Sequence, residues 1–298
     1  MTKLVDFFKI KSIEFALNVD LKEISTFRIG GNASIVCYPC NVLQVSAIVR
    51  YCRDNNIRYI GIGRGSNVVF PDNGLKTLLI KTDKLDSIQK KDDSFVFGAG
   101  VMLARASKFT VDNGYAGMEF AYGIPGSVGG AVFMNAGAYG GEMSQIVSAT
   151  EYVDNDGEIC TLSCKDHDFG YRHSYFSDKE CIITSTSVLL CRGSKSESEQ
   201  KIHELQAARK SKQPLEYPSA GSVFKRPEGY FAGKLVQDCN LKGYSIGGAT
   251  VSEKHSGFII NTGDATCDDV RNLVSHIQKV VYDKFGVSLE CELKFITD

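Results

Sequence analysis

Six glycines lie in the eighteen-residue stretch that starts at Gly123-Ile124-Pro125-Gly126-Ser127-Val-Gly129-Gly130, continues through Asn135-Ala136-Gly137 and ends at Gly140. Glycine gives up more backbone freedom on folding than any other residue. A segment so rich in it is therefore retained where the chain must turn tightly or approach something closely. Pro125 stiffens the turn by fixing one φ angle. Upstream lies a second loop, Gly61-Ile-Gly63-Arg-Gly65-Ser66-Asn67. It fails the dinucleotide fingerprint, because Ser66 stands at the third glycine position and the β-rich Val68-Val-Phe70 follows in place of a helix. No G-x-x-x-x-G-K-[ST] loop occurs either. Alone, this loop reads as a turn between strands. Two such loops, carrying Ser and Asn and no acidic side chain, fit a pyrophosphate threaded between two lobes. Arg28, beside Gly30-Gly31, is an early cation that suits either that role or a structural ion pair.

At 298 residues the chain has room for two or three domains. A formal net charge of −1 leaves no global field to recruit nucleic acid or an anionic membrane, and the absence of Trp weakens the case for a base-stacking surface. The N-terminus lacks an apolar h-region, and no stretch approaches the roughly 20 apolar residues needed to span a bilayer. A cytoplasmic protein is expected. Among ten cysteines, Cys37-Tyr-Pro-Cys40 has metal-site spacing, but no second pair completes a ligand set. Free thiols and no metal are expected.

Val45, Ile48, Val49 and Cys52 form an apolar stripe, predicting a helix to about Asn55. Strands are expected at 58–62, 68–70, 78–80 and 95–97, then a helix over 102–113 stopped by Gly114. Asn155-Asp156-Gly157 predicts a hairpin between 147–153 and 158–162. A strand over 182–190, a loop over 193–199 and a charged helix through Arg209 follow. The last helix shows Val270, Leu273, Val274, Ile277 and Val281 on one face, with Thr266 as N-cap and Gly286 as stop, and then a strand over 287–295. Helices and strands mix without strict βαβ alternation, which favours an α+β fold with a boundary near 190–200.

Three separated elements carry possible chemistry. Ser222 sits in the Gly-flanked turn Ser219-Ala-Gly-Ser-Val-Phe-Lys225-Arg226-Pro, Arg172 in Tyr171-Arg-His-Ser, and Glu292 in the late run Leu289-Glu-Cys-Glu-Leu-Lys. A hydroxyl, a guanidinium and a carboxyl group are what a site needs to protonate a carbanion next to a carboxylate. Individually they read as an exposed turn serine, a lone arginine and a solvated strand residue sharing its face with Glu290.

Ser25-Thr-Phe-Arg-Ile-Gly-Gly-Asn-Ala33, Gly63-Arg-Gly-Ser-Asn67, Gly123 through Ala138, Tyr217-Pro-Ser-Ala-Gly-Ser-Val-Phe-Lys225, Gly229-Tyr-Phe-Ala-Gly-Lys234 and Gly247 through Asn261 together resemble the UDP-N-acetylenolpyruvoylglucosamine reductase family. The resemblance runs from about residue 20 to 296, in order. It implies a vanillyl-alcohol-oxidase-type FAD-binding fold of two α+β subdomains, over 1–82 and 83–193, with a C-terminal substrate-binding domain over 194–298. It also implies bound FAD, NADPH as co-substrate, and reduction of UDP-N-acetylglucosamine enolpyruvate to UDP-N-acetylmuramate by a monomer in bacterial peptidoglycan precursor synthesis.

On this resemblance Ser222 is the proton donor, Arg172 the cation beside the enolpyruvyl carboxylate, and Glu292 the carboxyl group opposite, useful as a hydrogen-bond donor when it carries a proton. FAD contacts are implied at Arg28, Gly63, Gly65, Ser66, Asn67, Gly123, Ile124, Pro125, Gly126, Ser127, Gly129, Gly130, Asn135 and Ala136. Substrate contacts are implied at Lys212, Lys225 and Arg226. Arg226 stands where many members have Asn. The compact 169–176 region has no room for a lid insertion, so the chain resembles the shorter type. Two other classes remain: an oxidase of the same fold, which would be indifferent to NADPH, and a nucleotide-sugar binder without catalysis.

Overall fold

The computed structural model describes residues 2–298, which divide into two compact units. The first comprises residues 2–17, Ile35–Arg64 and Thr77–Ala207. It opens with helix α1 (Thr2–Ile10), which buries Leu4 and Phe8. Helix α2 (Val42–Asp54) buries Val45, Ile48, Val49 and Cys52 as the periodicity requires, and the Asn41 side chain accepts from Gln44 N–H at its start. Strand Leu78–Lys81 lies parallel to both Asn32–Tyr38 and Tyr59–Ile62, with Val36 opposite Leu79 and Tyr59 opposite Leu78.

A five-stranded antiparallel sheet runs in the order Ile159–Ser163, Val147–Val153, Ile182–Leu189, Ser94–Gly98, Ile88–Lys91. The expected hairpin is present, with Val153 opposite Ile159 and Gly157 at φ 81°. Helices α3 (Leu103–Asp112) and α4 (Val128–Phe133) complete this unit's glycine-rich face. Its core joins Phe8, Ile48, Ile80, Phe95, Phe97, Tyr115, Val128 and Val188.

Helix α5 (Lys195–Lys212) begins earlier than the sequence suggested, because Ser194 caps it: its carbonyl accepts from Ser198 N–H and its hydroxyl from Glu197 N–H. The 195–199 stretch is thus helix, not loop. Polarity misled here, since this helix buries only Ser198 and Ile202.

The second unit comprises Asn18–Ser34, Gly65–Lys76 and Ala208–Asp298. It contains α6 (Ala232–Asp238), a three-stranded sheet of Ser245–Ile246, Ala249–Val251 and Ile259–Asn261, and α7 (Cys267–Phe285). Thr266 and Asp269 form a reciprocal capping box on α7, and Gly286 ends it at φ 66°. Phe27, Ile29 and Val69, from the two early segments, share a core with Val223, Leu235, Val251, Val270, Leu273, Ile277 and Leu293.

The strand expected over 287–295 is regular only at Lys294–Phe295, which pairs in parallel with Val68–Val69. Before that point the backbone is spent differently: Glu290 O accepts from Lys225 N–H at 2.9 Å, and Glu292 N–H donates to Val223 O at 2.7 Å.

Candidate active site

In the first unit the two glycine loops touch. A Cβ placed on Gly63 would lie 2.5 Å from Ser127 Oγ, so a side chain there would have to displace that hydroxyl. The Gly63 carbonyl is drawn inward by Lys81 Nζ at 2.8 Å, which also meets Asp83 Oδ2 at 2.8 Å, while Arg64 reaches the same carboxylate at 3.3 Å. The Lys81 side chain is 6% exposed, and desolvation holds its pKa below the ordinary lysine value.

On the other side, Gly126 O accepts from Leu103 N–H, and the N–H groups of Val128 and Gly129 donate to Val101 O and Ala99 O. A Cβ on Gly129 would meet Ala99 Cβ at 2.7 Å. Neither Lys81 nor Asp83 was picked out from sequence. The signal available was a charged residue ending the otherwise apolar run Leu78-Leu-Ile.

Ser127 is the N-cap of α4, yet it makes no cap hydrogen bond, and its buried Oγ has no partner among the described residues. Buried hydroxyls are ordinarily paired. An unspent donor against two glycine backbones, with Gly130 exposed beside it, fits a phosphate oxygen, so the residues present suit the diphosphate of FAD. Pro125 is exposed, Ile124 packs against the first core, and Ala136 N–H is taken by Ala131 O.

Asn135 is buried at φ 41°, with Nδ2 donating to Gly170 O and Oδ1 accepting from Ser144 N–H, both at 2.9 Å. Arg172 stands at φ 56° in the tight turn Gly170–His173; its Nη2 reaches Gly137 O at 3.5 Å, and its guanidinium lies 5.0 Å from the Tyr171 ring centre.

In the second unit, Ser222 follows Gly221 (φ 80°) and is exposed. It bridges Phe258 on one side, while Val223 O holds Glu292 N–H on the other. Ser222 and Glu292, seventy residues apart, are thereby brought onto adjoining backbones. Asn67 Nδ2 fixes Glu292 from behind by donating to its carbonyl at 3.1 Å. Glu292 is half-buried. Glu290 instead faces solvent and ion-pairs with Lys225 at 2.6 Å.

Arg226 lies 4.0 Å from the Phe231 ring and donates to Tyr230 O, and Lys212 is exposed at the end of α5. Arg28 is exposed at φ 56°, its carbonyl accepting from Asn261. Gly65, at φ 66°, has no room for a Cβ, which would fall 2.2 Å from Ile24 O; Ser66 beside it is half-buried.

Comparison with known proteins identifies the relatives of this chain. Residues 213–296 match the family model described as UDP-N-acetylenolpyruvoylglucosamine reductase, C-terminal domain, and residues 33–163 match that of an FAD binding domain. A UDP-N-acetylenolpyruvoylglucosamine reductase of Clostridium perfringens is 43% identical over 99% of both chains. The chain belongs to the UDP-N-acetylenolpyruvoylglucosamine reductase family. A reductase of Caldanaerobacter subterraneus is 44% identical over 98% of both chains. The crystal structure of the reductase from Thermus caldophilus is similar at TM-score 0.81 and 32% identity, covering 96% of this chain and 99% of that one. The reductase family's architecture, an FAD-binding fold followed by a C-terminal domain, is thus the architecture of this chain. Both glycine loops fall in the first matched region, and Ser222 and Glu292 fall in the second.

Proposed function

We infer that the chain is an FAD-dependent oxidoreductase that uses NADPH to reduce UDP-N-acetylglucosamine enolpyruvate to UDP-N-acetylmuramate in peptidoglycan precursor synthesis. The observation that carries the chemical reading is that Glu292 N–H bonds the carbonyl of Val223, the residue after Ser222, so that Ser222 and Glu292 lie on adjoining backbones. Bound FAD would supply the hydride chemistry that links NADPH to the enol ether's terminal carbon.

The chain's residues manage what that transfer leaves behind. Charge accumulating on the carbon next to the carboxylate spreads into that carboxylate, and the Arg172 guanidinium binds it bidentately. Ser222 holds a proton at Oγ for delivery to that carbon, and Glu292, when it carries a proton, donates a hydrogen bond to the developing enolate. Ser127, Gly63, Gly126, Gly129 and Gly130, with Gly65, Ser66, Asn67 and Arg28, hold the cofactor's diphosphate and flavin. Lys212, Lys225 and Arg226 supply positive charge for the substrate's diphosphate; Lys225, although paired with Glu290, keeps ammonium protons to give.

The division into FAD-binding subdomains over 1–82 and 83–193 and a substrate domain over 194–298 belongs to the same proposal, as does a cytoplasmic monomer. One chain carries every residue named, and among the described residues no helix is long and apolar enough to cross a membrane.

The test is anaerobic spectroscopy of the purified flavoprotein. NADPH should bleach the flavin band, and UDP-N-acetylglucosamine enolpyruvate should restore it. A flavin that stays oxidised with NADPH, or is never reoxidised by the enol ether, overturns the reading.

A further inference from the structure

The segment leaving α4 grips the Arg172 turn at four points. Ser174 Oγ and Ser177 Oγ both donate to Phe133 O, at 2.8 and 3.3 Å. Asn135 Nδ2 donates to Gly170 O at 2.9 Å, and Arg172 Nη2 reaches Gly137 O at 3.5 Å. The serines anchor the body of the 167–177 loop. Asn135 holds the first residue of the turn whose third residue is Arg172. That turn is closed by Gly170 N–H to His173 O (3.1 Å) and His173 N–H to Gly170 O (3.3 Å).

Arg172 occupies the left-handed region at φ 56°, a conformation that costs a non-glycine residue about 1–2 kcal/mol. Such a conformation persists only where its surroundings impose it.

The amide chemistry at residue 135 is specific. Gly170 O requires a donor and Ser144 N–H an acceptor, and one primary amide supplies both. An aspartate of the same shape keeps the second bond and loses the first. Both polar atoms of Asn135 are thus spent inside the protein and the residue is 1% exposed, which leaves its side chain nothing to offer as the FAD contact that the resemblance implies.

We propose that Asn135 is a positioning residue for Arg172: its amide fixes the Gly170–His173 turn to the end of the helix whose other end carries the Ser127 loop. The proposal rests on Arg172 binding the substrate carboxylate. Its consequence is that Asn135 serves the oxidative half-reaction only.

The experiment compares FAD holoenzymes carrying Asn135→Ser, Asn135→Asp, Arg172→Ala, and Asn135→Ser with Arg172→Ala. FAD affinity, flavin reduction by NADPH and reoxidation by the enol ether are measured on each. The expected result is FAD affinity and NADPH reduction within about twofold of wild type, with reoxidation slowed by up to about 10²-fold in the Asn135 variants, the scale of a small misplacement of a binding group. Asn135→Ser should add nothing further to Arg172→Ala, because it acts through that side chain.

Loss of FAD from both Asn135 variants, equal slowing of both half-reactions, or an additive effect in the Arg172→Ala background would each overturn the proposal. An Arg172→Ala enzyme that reoxidises normally would instead sink the assignment of Arg172 itself, and this proposal with it.

Discussion

Ser127→Ala removes a hydroxyl that is buried and makes no hydrogen bond among the described residues. As N-cap of α4 it gives that helix no side-chain bond, so alanine forfeits no cap. In the apoprotein the substitution relieves an unsatisfied polar group, worth about 1–3 kcal/mol. In the holoprotein it deletes a hydrogen bond to a charged phosphate, worth about 1.5–3 kcal/mol, or about 10- to 150-fold in FAD affinity. The two effects have opposite signs. Deflavinated Ser127→Ala should unfold at higher urea than deflavinated wild type, while its FAD dissociation constant, read from quenching of flavin fluorescence, should rise by at least tenfold. Saturating FAD should shrink or reverse the stability gain, since ligand stabilisation scales with affinity. An apoprotein that loses stability together with an unchanged FAD constant would refute the reasoning.

Three other perturbations separate chemistry from scaffold. Ser222→Ala should leave reduction by NADPH intact and slow reoxidation by the enol ether about 10²–10⁴-fold in stopped flow; equal losses in both half-reactions would remove the serine from proton delivery. Thr266→Ala dismantles the α7 capping box and should cost about 1 kcal/mol in urea unfolding without changing turnover. His167 sits fully buried between Ser163 O (2.7 Å) and Thr150 Oγ1 (2.8 Å), and burial pushes its pKa below the ordinary 6.5. The unfolded chain then takes up this proton before the folded protein does. Stability from this residue is therefore full above pH 6.5 and falls on acidification, by at most about 1.4 kcal/mol per pH unit. His167→Gln should flatten that part of the pH–stability curve, and an unchanged slope would contradict the assignment.

Where local rules decide the backbone, the sequence could be read directly. The α2 stripe and the α7 capping box depend on neighbours three or four residues away, and Asn155-Asp156-Gly157 carries its own turn chemistry. Glycine loops were legible for a similar reason, since the residue type itself reports a crowded or left-handed backbone. What failed was decided at a distance, or by a single residue in a stretch without an apolar pattern. The Leu289-to-Lys294 alternation resembles a strand, but its hydrogen bonds go to 223–225, and the start of α5 depended on one serine in a uniformly polar run. Lys81 and Asp83 became visible as supports of Gly63 only once the parallel strands were aligned, and Asn135 acquired a role only when Gly170 arrived beside it.

The second unit draws on three stretches of chain, and this matters while the polypeptide is being made. Phe27, Ile29 and Val69 leave the ribosome about two hundred residues or more before the residues that bury them, on α7 and around Leu289 and Leu293. At about 5–20 residues per second, those side chains wait roughly ten seconds or longer without a core. The Val68–Val69 edge stays open for the whole interval, because Lys294–Phe295 must emerge before it can be paired. A nascent chain arrested before residue 290 would therefore hold a first unit able to close and a second unit that cannot, with two early apolar segments left for chaperones or proteases to find.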